Sequence, residues 1–519
     1  MALESAETFG DELAVIDGAT RLSFREVAEQ MVAVARSLIA LGVEPGDRVA
    51  LWAPNSAPWM CAALGVMATG AWLVPLNTRF KGPEAAYILA KTQARTLICV
   101  NGFLGVDHAA MVREADPTLP ALDQVVVLQG PPTDGATTFA DFLELGRSVD
   151  ESIVLDRIDA IGPDDVSDII FTSGTTGHPK GVMLRHGASL HAFCDLYNEG
   201  YQLGRGDRLL VVAPFFHCFG YKAGWMLALA VGATSVLVTV FDPADALKTI
   251  EEQRITHLAG APTMFAALLD HPTRAQRDFS SVRVAIASAA YVPVELVERM
   301  CADFGLDWAL SGYGLTEAHA LVSRGRADDP AEIVANWSGE VIRGCEVRIV
   351  DDDGNDVALG ERGELLVRGF QVMHGYYDDP EATAVVIDAD GWLHTGDIAF
   401  ANAENYIKVC DRKKDMFIVN GFNVAPAEVE AVLAEWDAVA MAAVIGIPDA
   451  THGDVGVAFI VPAPGAHPTA DDVIAHARER LATYKVPRHV IFVDELPMNA
   501  TGKVLKAQLQ ERLTGDTGR

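Results

Sequence analysis

Residues 166–181 read VSDIIFTSGTTGHPKG, and this stretch predicts both a central strand and a binding loop. Its first half, VSDIIFT, is a short apolar run typical of a buried strand, and its second half is rich in hydroxyl groups and glycine. Such a loop can turn successive backbone N–H groups towards a phosphate, with the hydroxyls of Ser173, Thr175 and Thr176 as further donors. Lys180 can supply a compact positive charge. We therefore predict a phosphate-binding loop after a buried strand.

This loop differs from other nucleotide-binding and catalytic motifs. A Walker loop has four residues between glycine and Gly-Lys-Ser/Thr, whereas here Pro179 precedes the lysine and Gly181 follows it. No GxGxxG follows a strand, and GxSxG and HExxH are absent from the sequence. The alternative for the loop is a flexible surface turn, but its density of hydroxyls, glycines and lysine after a buried strand favours phosphate binding.

The sequence around the loop predicts an α/β fold with mostly parallel, helix-covered sheets. From residue 20 to about residue 320, short apolar runs alternate with amphipathic segments, as expected of parallel strands connected by helices. The predicted strands include RLLVVAP at 208–214, THLAGAP at 256–262 and VRVAIAS at 282–288. The predicted helices include ALKTIEEQR at 246–254 and PVELVERMCADFG at 293–305.

The pattern changes in the last third of the chain. Residues 340–410 contain short strands and turns, which predict a small antiparallel β subdomain. The charged cluster DRKKD at 411–415 follows, and beyond it strands and helices are mixed. We expect an N-terminal domain at 1–410, a hinge at 411–415 and a C-terminal α+β domain at 416–519.

Two uncharged runs, residues 49–78 and 223–241, could be mistaken for membrane spans. Prolines interrupt the first run, which reads better as a strand, a helix and a second strand. The second run reads as a helix that stops at Gly232, followed by a β-branched strand. Residues 1–20 contain no basic residue and no apolar core of signal-peptide length. We expect neither a membrane span nor a secretion signal.

The composition restricts the classes of partner. The chain has 519 residues, 50% of them hydrophobic, which favours several globular units. Forty Lys and Arg residues against 71 Asp and Glu residues give a net charge of −31, which argues against nucleic-acid binding and against adhesion to anionic lipid. The seven cysteines are scattered without a CxxC pair, as expected of reduced thiols in a cytoplasmic protein.

Five segments, in order, resemble the motifs of the adenylate-forming superfamily of acyl-CoA synthetases, amino-acid-activating domains and beetle luciferases. They are Phe171–Gly181, Tyr313-Gly-Leu-Thr-Glu317, Thr395-Gly-Asp397, Asp411-Arg-Lys-Lys-Asp415 and Pro497-Met-Asn-Ala-Thr-Gly-Lys503. Each segment alone is a weak signal, but five in order across residues 171–503 are highly specific. The acyl-CoA synthetases, or fatty-acid–CoA ligases, are the branch that the chain resembles.

The resemblance implies that ATP activates a carboxylate to an acyl-adenylate, which then passes its acyl group to the thiol of coenzyme A. The first step brings two anions together, so the protein must position and neutralise them. Lys503 is implied to reach both the carboxylate and the α-phosphate, and Thr316 to contact phosphate. Glu317, with Thr176, is implied to hold Mg²⁺. The alternatives are a solvated lysine for Lys503 and a helix-capping carboxylate for Glu317.

The resemblance also implies a nucleotide site. Asp397 and Arg412 are expected at the ribose, since a carboxylate can accept hydrogen bonds from two vicinal hydroxyls. Adenine is expected against residues 288–290, where Tyr313 offers a stacking face. The alternatives are a turn residue for Asp397 and an ordinary core aromatic for Tyr313. The predicted nucleotide site consists of Thr172, Ser173, Gly174, Thr175, Thr176, Gly177, Lys180, Ser288, Ala289, Ala290, Gly312, Tyr313, Gly314, Asp397 and Arg412.

The implied C-terminal domain is mobile and rotates between the two steps. Lys414 falls at the hinge position. The tunnel for the thiol is expected along Asn420, Gly421 and Phe422, where glycine would let an extended pantetheine arm pass closely. Three further basic residues are either solvated charges, which we favour, or contacts for the nucleotide end of coenzyme A. They are Lys485, Arg488 and Lys506.

The implied acyl pocket is largely aromatic. Its predicted residues are Phe216, His217, Tyr221, Lys222, Gly224, Ala261 and Ser288. His217 is implied to be a catalytic-site gate for acyl or ATP entry; the alternative is a half-buried histidine bonded to a carbonyl. Lys222 is either a snorkelling surface residue or a donor to a distant carbonyl of the substrate. Ala223 and Gly224 leave room for a group wider than a straight chain.

The pocket favours an apolar carboxylic acid over an amino acid, because no aspartate near His217 could pair with a substrate ammonium. The run PFFHCFGYKAG at 214–224, with the phosphate loop, resembles synthetases for the ring-bearing propanoate left by sterol degradation. A medium-chain fatty acid is the main rival.

Two other functions remain open from the sequence. One is the loading of a carrier-protein phosphopantetheine, and the other is a non-catalytic nucleotide-binding relative, which the presence of Lys503, Glu317 and Lys180 opposes. A homodimer is the expected oligomer.

Overall fold

The computed structural model describes residues 1–119, 121–172, 179–288, 292–413, 415–419, 422–449, 451–499 and 502–516. Two large sheets, a three-stranded sheet, a four-stranded antiparallel sheet and a five-stranded C-terminal sheet form its framework. The predicted α/β class, with a small β subdomain and a small C-terminal domain, is confirmed.

The seven-stranded sheet is parallel except at one edge, where a hairpin adds an antiparallel strand. Its strands in spatial order are Trp308–Leu310, Val284–Ala287, His257–Gly260, Arg208–Val211, Thr234–Leu237, Leu13–Asp17 and Thr20–Ser23. The strands at 208, 257 and 284 are those predicted from the sequence, each shorter at its C-terminal end.

The nine-stranded sheet contains the strand that precedes the predicted phosphate loop. That strand, Val166–Thr172, pairs in parallel with Trp72–Pro75 and in antiparallel with Lys180–Arg185. The spatial order is Gly375–Tyr376, Lys180–Arg185, Val166–Thr172, Trp72–Pro75, Arg48–Trp52, Thr96–Phe103, Gln124–Gln129 and Thr137–Thr138, with Val106–Asp107 paired to Thr96–Phe103. The strand Val166–Thr172 therefore lies in the sheet interior, which explains why most of its residues are buried.

The smaller sheets are formed by the chain from residue 312 onward. The three-stranded sheet consists of Gly312–Tyr313, Ser323–Arg324 and Glu340–Val341, and the four-stranded sheet of Cys345–Val350, Gly363–Gly369, Leu393–Ala401 and Ile407–Arg412. The C-terminal sheet has the order Phe422–Val424, Phe417–Val419, Gly453–Pro462 and Val439–Asp449, with His489–Phe492 beside Gly453–Pro462. The four-stranded sheet ends at Arg412, and the C-terminal sheet begins at Phe417.

Helices cover the sheets, and their ends carry the expected signals. The helix Pro243–Glu252 begins after Asp242, whose side chain accepts a hydrogen bond from the Asp245 N–H. The helix Leu227–Val231 ends at Gly232, as predicted.

The α-helices before residue 200 are Ala2–Phe9, Phe24–Ala40, Ala57–Ala68, Gly82–Thr92, His108–Ala115, Phe139–Gly146, Glu151–Ala160, His186–Leu190 and Asn198–Tyr201. Those that follow are Cys218–Gly220, Leu227–Val231, Pro243–Glu252, Pro262–Leu269, Val294–Phe304, Ala331–Asn336, Pro380–Val386, Pro426–Ala434, Ala470–Arg480 and Lys506–Asp516. Residues His191–Tyr197 and Tyr221–Met226 form π-helical turns, and Arg274–Gln276, Thr316–Ala318 and Thr483–Lys485 form 3₁₀ turns.

The two uncharged runs lie inside this framework. The helix Ala57–Ala68 is buried around almost its whole circumference, between the strands Arg48–Trp52 and Trp72–Pro75. Within the described part of the chain, no helix combines the length and the apolarity that crossing a bilayer requires.

Candidate nucleotide and acyl site

A buried aspartate lies where the three- and four-stranded sheets meet. The Asp397 carboxylate accepts a hydrogen bond from the Tyr313 hydroxyl and lies 2.7 Å from the Arg412 Nε. Strand pairing places Asp397 and Arg412 directly opposite each other. Burial raises the pKa of Asp397, while Arg412, Tyr313 and Lys503 oppose that rise. The structure thus brings three predicted nucleotide-site residues together.

The turn alternative for Asp397 is wrong, because Asp397 lies within the strand Leu393–Ala401. Tyr313 packs against a hydrophobic core cluster, and its hydroxyl donates to Asp397. The motif threonine, Thr395, donates to the Leu365 carbonyl at 2.7 Å and accepts the Asp397 N–H at 3.1 Å, so its hydroxyl fixes the backbone at the carboxylate.

Lys503 approaches this cluster from the C-terminal part of the chain. Its pKa is lowered by burial and by the positive charge of Arg412, while Asp397 and Asp415 oppose the shift. Lys503 still has exposed surface, so its ammonium is only partly withdrawn from solvent. A Cβ added to the neighbouring Gly502 would lie 3.5 Å from the Thr263 Oγ1 and 3.7 Å from the Ala261 Cβ. The loop with Lys503 therefore packs against the predicted acyl pocket.

A second carboxylate, that of Glu317, is held by two hydroxyl groups. Its Oε1 accepts a hydrogen bond from the Tyr376 hydroxyl at 3.0 Å and from the Thr172 hydroxyl at 3.4 Å. The Lys180 ammonium lies 5.0 Å from the centre of the Tyr376 ring. Thr172, Lys180 and Glu317 therefore lie around Tyr376. The Glu317 carboxylate accepts hydrogen bonds from Tyr376 and Thr172 and does not cap a helix.

Tyr376 was not predicted from the sequence. It lies in the short strand Gly375–Tyr376, at the edge of the nine-stranded sheet, and reaches Glu317 across 59 positions of sequence. No local pattern around Gly375–Tyr376 indicates that contact, because sheet pairing with Val182 and Met183 creates it.

The turn that carries Thr316 and Glu317 is tightly folded. A Cβ on Gly314 would lie 2.1 Å from the backbone of Ala320, so only glycine permits this close approach. Behind the turn, His319 is fully buried; its Nε2 accepts the Arg185 N–H at 3.0 Å and its Nδ1 donates to the Gln371 carbonyl at 2.6 Å. Thr316 is buried here, at 8% exposure, and Gly312 accepts a hydrogen bond from Ser288 at 3.1 Å.

The donor set fits Mg²⁺ better than a metal held by protein alone. No three histidine, cysteine, aspartate or glutamate residues of the described chain form a metal-binding group. Mg²⁺ bound with a nucleotide usually takes one or two carboxylates and completes its shell with phosphate oxygens and water. Glu317, beside Thr172 and Lys180, offers a carboxylate of that kind.

His217 is held in one neutral form at the start of the acyl segment. Its Nδ1 accepts the Phe219 N–H at 3.3 Å, so the ring proton is on Nε2, and burial lowers the pKa to about 4. Asn55, which sequence reasoning missed, donates to the Ala213 carbonyl at 3.0 Å and accepts the Phe215 N–H at 2.9 Å. Neutral His217 therefore presents an Nε2–H donor from a segment that Asn55 fixes. The alternative, a histidine bonded to a carbonyl, is not what the structure shows, because the ring accepts a backbone N–H.

Other residues of the predicted acyl pocket are placed differently from the expectation. Tyr221 has 1% exposure and stacks on Trp225 at 5.1 Å, so its ring belongs to the core in this structure. A Cβ on Gly224 would lie 3.1 Å from the Val211 Cγ1, so this glycine allows close packing on a strand rather than making room for a wide ligand. Phe216, by contrast, retains exposed surface next to His217.

Lys222 is not a snorkelling surface residue. Its side chain is fully buried, and its ammonium lies 3.0 Å from the Asp168 Oδ2 and donates to the Ser189 Oγ at 2.6 Å. The prediction of a snorkelling lysine was wrong because its partner, Asp168, lies on a different element, 54 positions away in the sequence. The ammonium is fully buried and engaged by protein groups.

Basic residues of the C-terminal part are also more engaged than predicted. Lys485, at 17% exposure, lies 2.5 Å from the Glu428 Oε1, and Lys506, at 19%, lies 2.9 Å from the Glu430 Oε1. They are paired rather than solvated charges. Arg488 is exposed and contacts the His452 Nε2 at 2.8 Å.

Some predicted site residues lie outside the described part of the chain. They are Ser173, Gly174, Thr175, Thr176, Gly177, Ala289, Ala290, Lys414, Asn420 and Gly421. Phe422, the remaining predicted tunnel residue, is 56% exposed and stacks on Tyr484 at 4.7 Å.

Two family models and several known proteins match the chain. The AMP-binding enzyme model matches residues 3–377, and the AMP-binding enzyme C-terminal domain model matches residues 428–503. The chain is 47% identical over 510 residues to the 3-[(3aS,4S,7aS)-7a-methyl-1,5-dioxo-octahydro-1H-inden-4-yl]propanoyl:CoA ligase of Rhodococcus jostii (strain RHA1), with 98% of this chain and 97% of that protein covered. It is 48% identical over 501 residues to the enzyme of the same name from Mycobacterium tuberculosis (strain ATCC 25618 / H37Rv), with 96% of each covered.

A solved structure agrees with these matches. The chain is similar to the anthranilate CoA ligase AuaEII in complex with anthranoyl-AMP, with a TM-score of 0.89, 30% identity, and coverage of 100% of this chain and 98% of that one.

The Tyr376 hydroxyl provides a test of the Glu317 arrangement. We expect Tyr376→Phe to slow adenylate formation about tenfold, because a hydrogen bond to a charged group contributes about 1.5 kcal/mol and the ring beside Lys180 is kept. Single-turnover release of pyrophosphate measures the rate, and calorimetry of ATP binding shows whether affinity changes. The matched control is Tyr377→Phe, which removes the neighbouring hydroxyl next to Trp72. Equal rates in wild type and Tyr376→Phe would refute the arrangement.

Proposed function

The chain belongs to the family of AMP-binding enzymes and is an AMP-forming acyl-CoA synthetase, and we propose that its substrate is a propanoate attached to an oxidised, steroid-derived two-ring system. The observation that carries this proposal is 47% and 48% identity, over almost the whole chain, with two ligases named for a propanoyl group on a methylated dioxo-octahydroindene.

The chemistry of the acyl segment supports an apolar, carbonyl-bearing acid. Residues 214–224 contain four aromatic side chains besides His217 and no carboxylate, so a substrate ammonium would have no partner there. The neutral His217 has its proton on Nε2 and can donate to a carboxylate or ketone oxygen. Both a fused-ring keto acid and a medium-chain fatty acid offer a carboxylate to His217, but only the keto acid also offers ketone oxygens as acceptors.

For the first step we propose that Lys503 bridges the substrate carboxylate and the α-phosphate. A carboxylate oxygen forms a bond to the α-phosphorus, the bond to the β-phosphate oxygen breaks, and pyrophosphate leaves. Asp397 and Arg412 would hold the ribose hydroxyls, which fixes the α-phosphorus relative to Lys503. Thr172, Lys180 and Thr316 would contact the phosphates. Orientation of the reacting groups supplies much of such an acceleration.

Mg²⁺ would be held by Glu317 together with the nucleotide, with Thr176 as the second proposed residue. When bound, it would neutralise charge on the phosphate oxygens. The role of the chain itself is to orient the Glu317 carboxylate, through Tyr376 and Thr172.

For the second step we propose coenzyme A as the acceptor. Its thiolate would attack the acyl carbon, and AMP would leave with one oxygen of the original carboxylate. We also propose that residues 411–415 separate domains 1–410 and 416–519 and that Lys414 is the hinge. In support, the four-stranded sheet ends at Arg412 and the C-terminal sheet begins at Phe417. Asn420, Gly421 and Phe422 would line the thiol tunnel.

Two further proposals concern the state of the protein. All seven cysteines are free, which supports a reducing, cytoplasmic environment. A homodimer stays a prediction.

The substrate proposal is tested with a panel of acids. The purified protein is incubated with ATP, Mg²⁺, coenzyme A and either the dioxo-octahydroindene propanoate, C4 to C16 fatty acids, ferulate or amino acids, while AMP and pyrophosphate release are followed. We expect kcat/KM for the bicyclic acid to exceed that for any straight chain by at least tenfold.

Two results would contradict the proposal. A straight-chain acid preferred by a wide margin would refute the bicyclic substrate. Release of pyrophosphate without consumption of coenzyme A, and with transfer only to a carrier protein, would refute the acceptor.

Lys503→Ala tests the assigned role of the lysine. We expect adenylate formation to fall 100- to 1000-fold, because removing a charge that acts on the transition state typically costs about 3–4 kcal/mol. Thioester formation from supplied acyl-adenylate should change less than threefold. Stopped-flow measurement of each step separates them. The control is Lys248→Ala, at an exposed lysine on the helix Pro243–Glu252. An equal loss in both steps would mean that Lys503 does not act in adenylation alone.

A further inference from the structure

A completely buried ion pair lies behind the proposed site. The Lys222 ammonium is 3.0 Å from the Asp168 Oδ2, and neither side chain has exposed surface. Ser189 accepts from Lys222 at 2.6 Å, and the Ser167 hydroxyl donates to the same Asp168 oxygen at 2.6 Å. Because both charges are inaccessible, the pair cannot contact substrate.

The pair connects elements that lead directly to the proposed site. Asp168 lies within the strand Val166–Thr172, opposite Leu73 on one neighbour and Leu184 on the other. Lys222 lies in the π-helical turn Tyr221–Met226, five residues after His217. The ion pair therefore joins the strand that enters the phosphate loop to the helix that follows the acyl-side histidine.

Stability alone does not account for this pair. Removing two charges from water is costly, and proteins with apolar residues of similar volume in such places are often equally stable or more stable. Removing one partner is different, since it leaves a buried charge without compensation. An ion pair with hydroxyl partners has directional contacts, so it holds its two elements in one relative position. An apolar replacement lacks such directional contacts.

We propose that the Lys222–Asp168 pair positions the acyl side of the site relative to the phosphate side. The pair acts through the strand Val166–Thr172 and the Tyr221–Met226 turn, so that the substrate carboxylate meets the α-phosphorus at the required distance. Lys222 and Asp168 are positioning residues. This inference rests on the proposed adenylation reaction.

The test compares Asp168→Asn, Lys222→Met and the double variant with wild type. We expect each single variant to unfold at a clearly lower temperature, because it leaves one buried charge unpaired. The double variant should recover most of the wild-type unfolding temperature. Its dissociation constants for ATP and for the acid should stay within threefold of wild type, while kcat for adenylate formation falls 10- to 100-fold, since misalignment affects the reaction more than binding.

A destabilising variant elsewhere in the protein separates misalignment of the proposed site from a general loss of stability. Ile250→Ala truncates a fully buried side chain in a different core cluster, so it lowers the unfolding temperature without touching these elements. We expect its kcat to equal that of wild type at a temperature where both are folded. If the double variant regains both stability and kcat, or if Ile250→Ala loses as much kcat, the positioning role is refuted.

If the wild-type protein activates no acid in the panel, the proposed function is refuted. Hydrogen exchange then still tests whether the ion pair holds its two elements in place. In the double variant we expect faster exchange in residues 166–172 and 221–226 together, with other core strands unchanged. Exchange equal to wild type in both segments would refute the proposal.

Discussion

Adenylate formation requires this protein, whose net charge is −31, to bring two anions into contact: the substrate carboxylate and the α-phosphate of ATP. At 4 Å, two unit charges near a protein surface repel by about 4 kcal/mol, so the surplus of carboxylates on this protein would oppose both the nucleotide and the acid. The answer is local: Arg412 and Lys503 lie near each other beside Asp397, and Lys180 lies over Tyr376 next to Glu317. Lys503 and Lys180 thus supply positive charge where the phosphates are proposed to bind, and Arg412 supplies it at the proposed ribose position.

The backbone sets the positions of these charges. Asp397 and Arg412 face each other because the strands Leu393–Ala401 and Ile407–Arg412 pair in register. Arg412 is also the last residue of its strand, immediately before the connection to the C-terminal sheet. The same residue thus belongs to the proposed nucleotide site and precedes the segment proposed to deliver Lys503, so in this proposal the nucleotide and the C-terminal part share one anchor.

Local patterns in the sequence predicted the strands, helices and glycine stops well. VSDIIFT, the helix end at Gly232 and the antiparallel subdomain depend on residues close in sequence, and each is found as predicted. Pairings between distant elements were not predictable. Tyr376 reaches Glu317, and Lys222 reaches Asp168, only because the fold brings separate strands and helices together. Lys222 was misread because its apolar helix gives no sign of a buried partner elsewhere.

The path of one oxygen atom tests the central claim most directly. When the acid carries ¹⁸O in both carboxylate oxygens, direct attack on the α-phosphorus leaves one ¹⁸O in the phosphate of AMP after thioester formation. Mass spectrometry of the products should therefore find AMP with one ¹⁸O per turnover and pyrophosphate without label. Label in pyrophosphate or phosphate, or unlabelled AMP, would contradict an acyl-adenylate formed at this site.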